Sequence, residues 1–372
     1  MKVKSLLFLG VLSAFVGLDV MADDLSDYPE VIHDLVRKGQ SGDVQAQFEL
    51  GEKFYWGADI VEDYSQALKW YKLAADQGHS DAQNNLGSMY HYGNGTEKRP
   101  DLALELYRAS AAKNNPWGMY SLGIVYDDGD LVEANDETSV HWLRKASELG
   151  HTKATNYLGV MYAGGEGVKQ DHKKALELYL LSAKDGYSQA EYNAGEAYEH
   201  GIGTSKNINL AVKYYERAAK QDLSDAHFQL GYIYDIGEDL PEDNERAISY
   251  YKSGTKLGHA GAMYNLALMY DEGDGVIEDN EEAIRLYGKA AKLGHDLSQN
   301  NLGVLYSAGD GVKKNFILAY MWYLVSADSE NDLAKENQKD LRSSLSRKQR
   351  KEAEQMAEIC IKSDYQDCNW TQ

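Results

Sequence analysis

The stretch LGVMYAGGEGVKQDHKKAL, residues 158–176, places four glycines between two runs that have the spacing of helices. A glycine-rich turn that leads into a helix can hold a phosphate on the backbone N–H groups of the first helical turn. A phosphate loop requires G-x-x-x-x-G-K-[ST], or G-x-G-x-x-G after a strand, and this stretch matches neither pattern. A repeat protein uses the same kind of turn to join two helices, and it then recurs along the chain.

The turn does recur. A shift of 36 residues aligns the chain with itself eight times between about 45 and 332 without a gap. One column is glycine in every copy, a second is aromatic, and a third is leucine with one alanine. The columns are Gly57, Gly93, Gly129, Gly165, Gly201, Gly237, Gly273 and Gly309; Phe54, Tyr90, Tyr126, Tyr162, Tyr198, Tyr234, Tyr270 and Tyr306; and Leu50, Leu86, Leu122, Leu158, Ala194, Leu230, Leu266 and Leu302.

Each copy predicts two helices. Ala82, Leu86 and Tyr90 recur at i, i+4 and i+8, so they form one apolar stripe. Glycine ends this helix because it tolerates the left-handed backbone of a C-terminal turn. We expect N-caps of the first helix at Ser80, Thr152, Ser188 and Ser224, and N-caps of the second at Asp63, Asn135, Asp171, Asn207, Asp243, Asp279 and Asn315.

Two further columns describe how the helices pack and end. At Arg99 the second cap is missing, and Pro100-Asp101 predicts a start shifted by a residue or two. A glycine also recurs inside the first helix, which predicts close backbone approach with a Tyr or Leu beside it. One helical hairpin cannot bury its apolar face alone, but a stack can. The sequence therefore predicts an all-α fold, an α/α solenoid coiled as a right-handed superhelix.

The repeated motif A-x-x-x-L-G-x-x-Y-x-x-G-x-G-V-x-x-D-x-x-x-A-x-x-W/L-Y-x-x-A-A-x-x-G resembles the Sel1-like repeat, a relative of the tetratricopeptide repeat. Residues 154–186 match it closely, and the resemblance covers about 45–332 in eight units. The third unit departs most, at Gly118, Asp130, Ser139 and Leu143. The resemblance implies a non-catalytic adaptor scaffold in signalling, envelope assembly or host contact.

The two ends predict export and caps. Residues 1–22 have the charged start, apolar stretch and cleavage positions of a signal peptide, with an uncleaved anchor as the alternative. The mature chain would start at Asp23, so we expect a periplasmic or secreted protein with no integral membrane segment. Residues 23–44 predict an N-terminal capping helix, and 333–372 predict C-terminal capping helices and a tail. In an exported chain the two cysteines, Cys360 and Cys368, predict a disulfide.

Charge narrows the class of partner. Removal of residues 1–22 leaves 36 basic and 58 acidic side chains, since Lys2, Lys4 and Asp19 leave with them, so the net charge is −22. Nucleic acids are disfavoured because their affinity comes from neutralisation of phosphates by Lys and Arg. We expect a protein or peptide partner of basic character. A cell-wall or polysaccharide ligand stays open as an alternative.

Candidate sites for chemistry are weak. Ser110 with Lys113, and Ser253 with Lys256, match the S-x-x-K of penicillin-binding enzymes, and an enzyme of that type is the other alternative, but neither S-D-N nor K-T-G occurs to complete its site. We predict no catalytic residue, no cofactor and no metal. DEGDGVIEDNEE at 271–282 lacks the calcium-ligand spacing. Four histidines at one repeat position are expected to be exposed turn residues: His79, His151, His259 and His295.

The first helices should carry the binding groove. If Ala82, Leu86 and Tyr90 face the core, the positions of 84, 88 and 91 face outward. Aromatic rings beside carboxylates on that face could hold a peptide, with basic side chains on the acids and apolar ones on the rings. Alternatively, the rings pack between repeats and the acids aid solubility. The candidate residues are Tyr120, Tyr192, Phe228, Tyr232, Tyr264, Asp127, Glu199, Asp235 and Asp271.

Overall fold

The computed structural model describes residues 24–368, and the regular elements of that range are helices without a strand. The chain divides into two compact units between Ala154 and Thr155. The first helices of the repeats are α2 (Val44–Trp56), α4 (Ser80–Tyr92), α6 (Pro116–Asp128), α8 (Thr152–Gly164), α10 (Ser188–His200), α12 (Ser224–Ile236), α14 (Ala260–Glu272) and α16 (Asp296–Ala308). The second helices are α3 (Tyr64–Asp76), α5 (Pro100–Ala112), α7 (Asp136–Glu148), α9 (His172–Lys184), α11 (Ile208–Ala219), α13 (Asn244–Lys256), α15 (Asn280–Lys292) and α17 (Phe316–Asp328).

The glycine columns end the helices as predicted. Gly57 has φ 65° and donates its backbone N–H to the carbonyl oxygen of Lys53, which closes the last turn of α2. The seven other glycines of that column also have positive φ, up to 85° at Gly309. The column that ends the second helices behaves alike, and Asn114 and Asp222 adopt φ 58° where other repeats have glycine.

The second helices begin at the predicted caps. Asp243, for example, accepts a hydrogen bond at Oδ1 from the N–H of Arg246 at 3.0 Å. The expected shift at Arg99 is wrong. Helix α5 begins at Pro100, at the same repeat position as its sister helices, because proline at the first helical position needs no partner for an N–H it lacks.

The predicted caps of the first helices are one residue too late. The N-cap of α4 is His79, whose Nδ1 accepts from the N–H of Ala82 at 3.3 Å, and Ser80 is the first helical residue. The N-caps of α10 and α12 are Tyr187 and Leu223, which make no side-chain cap. The capping side chains share one column: Asp43, His79, Asn115, His151, His259, His295 and Asn331.

Helix-internal glycines permit the predicted close approach. A Cβ on Gly231 would lie 2.6 Å from the ring of Tyr251, which is buried between α12 and α13. Leu143 takes the corresponding place beside Gly123. These contacts set the distance between the two helices of a repeat, so a larger side chain would not fit at these glycines.

Helical segments flank the repeats at both ends of the described residues. At the N-terminal end, 3-10 turns at Leu25–Asp27 and Glu30–Ile32 precede helix α1, His33–Gln40. After α18 (Asp332–Leu341), a Ser346 capping box opens α19 (Arg347–Lys362), which packs on α17. The expected disulfide joins Cys360 and Cys368. The predicted signal peptide and the start at Asp23 lie outside the described residues.

Candidate binding surfaces

Three of the predicted aromatic residues of unit 2, Tyr192, Phe228 and Tyr264, are half-buried on the first helices, and Tyr232 is exposed. The ring of Phe228 stacks on His259 at 4.5 Å between centroids, and Tyr264 lies 4.8 Å from His295. Tyr192 lies 5.4 Å from the ring of Tyr215. In each case the ring contacts a neighbouring helix or the cap of the next repeat, and the side chain stays partly exposed.

The outward face is rotated relative to the prediction. Asn84, expected to face outward, is 6% exposed, whereas Tyr92, one residue beyond the predicted position 91, is 58% exposed. A first helix contacts its own second helix, the preceding second helix and the flanking first helices, so it is buried around more of its circumference than one apolar stripe predicts. The exposed strip is centred on the positions of 85, 88 and 92.

The predicted carboxylates of unit 2 accept hydrogen bonds from buried tyrosines. The hydroxyl of Tyr215 donates to Glu199 Oε2 at 2.6 Å, and that of Tyr251 donates to Asp235 Oδ2 at 2.9 Å. The Tyr287 hydroxyl lies 3.3 Å from Asp271 Oδ2 in the next repeat. These bonds fix each carboxylate between the first and second helix of its own repeat.

Asp235 and Asp271 are surrounded by other acidic side chains. Burial raises the pKa of Asp235, and the neighbouring charges that raise it further are Asp274, Glu242 and Glu272. Burial and acidic neighbours likewise raise the pKa of Asp271. A cation placed against either carboxylate would relieve that repulsion. We name the strip of α10, α12 and α14 that carries Tyr192, Glu199, Phe228, Tyr232, Asp235, Tyr264 and Asp271 the acidic aromatic face.

Unit 1 contains a separate cleft of about 390 Å³ on its first helices. Its walls include seven Trp and Tyr side chains, of which Trp56, Tyr92 and Trp117 are 70%, 58% and 46% exposed. The other four are Tyr55, Tyr71, Tyr107 and Tyr120, and Tyr120 is the aromatic groove residue predicted for this unit. We call this feature the aromatic cleft.

Neutral polar groups form the base of the aromatic cleft. Asn84 Oδ1 accepts from Ser121 Oγ at 2.8 Å, and Asn84 Nδ2 lies 3.3 Å from Asn85 Oδ1. Asn85 Nδ2 donates to Glu52 Oε1 at 2.7 Å. Ser88 Oγ, also on α4, lies 3.2 Å from the hydroxyl of Tyr107. These bonds hold the amide and hydroxyl groups in fixed orientations.

Eight consecutive segments match the Sel1 repeat: 44–79, 80–115, 118–151, 152–187, 188–223, 224–259, 260–295 and 296–331. The chain belongs to the Sel1 repeat family. Proteins of this family are generally protein-interaction scaffolds and are typically non-catalytic. No curated protein sequence matches the chain significantly.

Two solved Sel1 repeat structures resemble the chain over most of its length. A Sel1 repeat protein from Oxalobacter formigenes is 24% identical with a TM-score of 0.62, over 85% of this chain and 92% of that one. A protective antigen of uropathogenic Escherichia coli strains is 24% identical with a TM-score of 0.55, over 91% and 89%. At this identity the likeness concerns the fold. Within residues 24–368 no helix has the length and apolar character to span a membrane.

The S-x-x-K serines occupy structural positions in this Sel1 repeat array. Ser110 is fully buried and its Oγ donates to the carbonyl oxygen of Ser80 at 2.8 Å, so it ties one repeat to the next. Lys113 Nζ contacts the carbonyl oxygen of Gly78. Ser253 Oγ donates to the carbonyl oxygen of Ser249 within α13. Nothing in these contacts aligns a base with either hydroxyl.

The histidine column was wrongly predicted to be exposed. His151 is 6% exposed, and its ring lies against both Tyr120 and Trp117. Its Nδ1 accepts from the N–H of Ala154 at 3.0 Å, which requires the neutral ring. Burial, together with nearby Lys153, lowers its pKa to about 4. Among residues 24–368, no three His, Cys, Asp or Glu side chains are grouped to hold a metal ion.

Sequence reasoning missed most of the aromatic cleft. Trp56 and Tyr92 share the repeat position before the helix-ending glycine, where later repeats have Asp128, His200 and Ile236. Large rings at a position that is otherwise variable are the signal that could have revealed it. The rotated exposure of the first helix, which places that position on the outward strip, is visible only in the packed array.

Proposed function

We propose that this Sel1 repeat protein is an exported, non-catalytic scaffold that binds a basic segment of a partner protein on the acidic aromatic face. One observation carries the proposal. On consecutive first helices, half-buried carboxylates are held by tyrosine hydroxyls while their charged neighbours are other carboxylates. A Lys or Arg side chain would supply the missing counter-charge, and the adjoining rings would cover its methylene groups.

The aromatic residues support the same mode of binding. Tyr232 presents an exposed ring on α12, next to Phe228 at 6.3 Å between ring centroids. Partly exposed rings on a rigid helix lose little conformational entropy on binding, so they are favourable contacts for apolar side chains of a peptide. Asp127 occupies the corresponding repeat position in unit 1 and is not part of the acidic aromatic face.

The experiment uses the double variant Asp235→Asn/Asp271→Asn and an array of peptides that alternate Lys or Arg with aliphatic residues. Asparagine keeps an oxygen that can accept the tyrosine hydroxyl, so the fold should persist. We expect about a tenfold loss of affinity and a weaker dependence on salt, measured by titration. Tyr192→Ala, Phe228→Ala and Tyr264→Ala should also weaken binding.

The control is Glu245→Gln/Glu281→Gln, which removes two carboxylates from the exposed side of the second helices. It should bind like the unaltered protein, since it changes net charge equally but leaves the acidic aromatic face intact. Equal losses in both double variants would mean that only net charge matters. Unchanged affinity of the asparagine variant, with unchanged helicity by circular dichroism, would refute the assignment.

A further inference from the structure

The aromatic cleft of unit 1 differs in chemistry from the acidic aromatic face. Its lining residues include no Asp or Glu, and Lys153 and His91 are its basic side chains. Both ring nitrogens of His91 already have partners, the Tyr107 hydroxyl and the Asp130 carboxylate. The carboxylate of Glu52 accepts hydrogen bonds from Asn85 and Tyr71 and does not line the cleft. A charged peptide therefore finds little complementary charge here.

The exposed rings need an explanation. Five tryptophans lie in residues 24–368; Trp56 and Trp117 are the exposed ones, and both line the cleft. An exposed tryptophan side chain has a large apolar area in contact with water. A ligand that covers this area stabilises the complex by burying it. Tyr92 occupies the repeat position of Trp56 and is also mostly exposed. Its ring stacks on that of His91 at 4.3 Å between centroids, which fixes its orientation.

The base of the cleft supplies directional hydrogen bonds without charge. Asn85 Oδ1 has two lone pairs and one described bond, from Asn84, so acceptor capacity remains. The hydroxyls of Ser88 and Tyr107 both donate and accept. Fixed amides and hydroxyls flanked by flat apolar rings match the chemistry of a sugar ring. A pyranose packs its apolar C–H face on an aromatic ring and presents hydroxyls along its edge.

We propose that the aromatic cleft binds a neutral oligosaccharide, with sugar rings on Trp56, Tyr92 and Trp117 and sugar hydroxyls on Asn84, Asn85 and Ser88. The volume of about 390 Å³ is within the range of small-ligand sites. This binding is independent of the acidic aromatic face, which lies in the other unit. The scaffold would thus hold a glycan in unit 1 and a basic protein segment in unit 2.

The test titrates the full chain with three neutral tetrasaccharides: β-1,4-linked glucose, β-1,4-linked N-acetylglucosamine and α-1,4-linked glucose. Binding is followed by calorimetry and by tryptophan fluorescence. We expect at least one probe to bind with a micromolar to millimolar dissociation constant and to change the fluorescence. Trp56→Ala and Tyr92→Ala should each weaken that binding about tenfold, because each removes a stacking ring. Both side chains are exposed, so folding should be unaffected.

Two matched controls separate the cleft from general aromatic content. Ile236→Ala changes the residue of unit 2 at the repeat position of Trp56, and Trp142→Ala removes a tryptophan on the second helix α7. Both should bind the probe normally. The proposal is overturned if no tetrasaccharide binds up to about 10 mM. It is also overturned if Trp56→Ala and Tyr92→Ala bind the tetrasaccharide as tightly as the unaltered protein does. A third contrary outcome is that these variants lose peptide binding while no glycan binds. A negative glycan result leaves the peptide-binding test of Asp235 and Asp271 unaffected, because the two sites lie in different units. A negative peptide result likewise leaves the glycan test unaffected.

Discussion

At the scale of single residues, the least expected result is the use of histidine as a helix cap. Asp, Asn and His share one column, and each places an acceptor within reach of the N–H groups of the next first helix. Imidazole accepts at Nδ1 only while that nitrogen is unprotonated. The caps at His151, His259 and His295 therefore depend on the neutral ring, and burial lowers the pKa of all three.

His151 should make stability depend on pH. Its folded-state pKa of about 4 lies below the value of about 6.5 expected in the unfolded chain. Between these values the unfolded chain binds more protons, so stability is complete above pH 6.5 and falls as pH falls toward 4. The loss should reach at most about 3 kcal/mol at the acid end.

The test measures urea unfolding of the unaltered protein and of His151→Asn from pH 7.5 to pH 4.5. Asparagine caps the same position at Asn115, so the variant keeps an acceptor and loses the proton-binding ring. We expect the unaltered protein to be more stable at neutral pH, since His151 also packs on Tyr120. That advantage should shrink on acidification. A constant difference would contradict the prediction, and His141→Asn, on the exposed side of α7, is the control.

At the scale of elements, each helix end has its own chemical cause. Positive-φ glycines end the helices, while Asp or Asn opens most second helices with a bond such as that from Arg246 to Asp243. These signals are local, so the sequence predicted them well. The final helix α19 differs because it depends on tertiary packing on α17 and on a covalent closure between Cys360 and Cys368.

Reduction of this disulfide should loosen the C-terminal cap. The bond closes a loop of eight residues, and its loss should cost about 2 kcal/mol through the entropy of the unfolded chain. We expect a reductant to lower the melting temperature of the oxidised protein in calorimetry. Cys360→Ala/Cys368→Ala should melt at a similarly lowered temperature and show no further response to reductant. An identical response of both proteins would mean that reductant acts elsewhere.

At the scale of the whole molecule, the array combines two chemically different surfaces. The aromatic cleft of unit 1 is neutral at its base, whereas the acidic aromatic face of unit 2 carries desolvated carboxylates. Both lie on first helices, where side chains at the outward positions differ between repeats. A constant framework with variable outward residues allows one fold to carry separate binding sites.

Export is a property of the whole chain and is tested as such. If residues 1–22 are a signal peptide, the protein recovered outside the cytoplasm should begin at Asp23, by intact mass and N-terminal sequencing. Its two cysteines should resist alkylation before reduction, since a disulfide forms in an oxidising compartment. Recovery of the uncleaved chain with free thiols in the cytoplasm would refute export.

The sequence by itself determined the repeat length, the helix ends and the small residues between helices. These features depend on backbone conformations and packing contacts that recur every 36 residues, so repetition makes them readable. Gly57 and Gly231 are examples, because a side chain is excluded there by φ or by a ring at 2.6 Å. The 36-residue periodicity therefore indicates which positions are constrained by backbone conformation or by packing.

Only the tertiary structure decided which face of a first helix is open. Asn84 is buried and Trp56 is exposed because each first helix contacts neighbours before and after it, which no single amphipathic pattern records. The bonds from Tyr251 to Asp235 and from Ala154 to His151 likewise depend on how packed helices are juxtaposed. Side chains that differ between repeats acquire their roles from these neighbours, so their function emerges only in the assembled array.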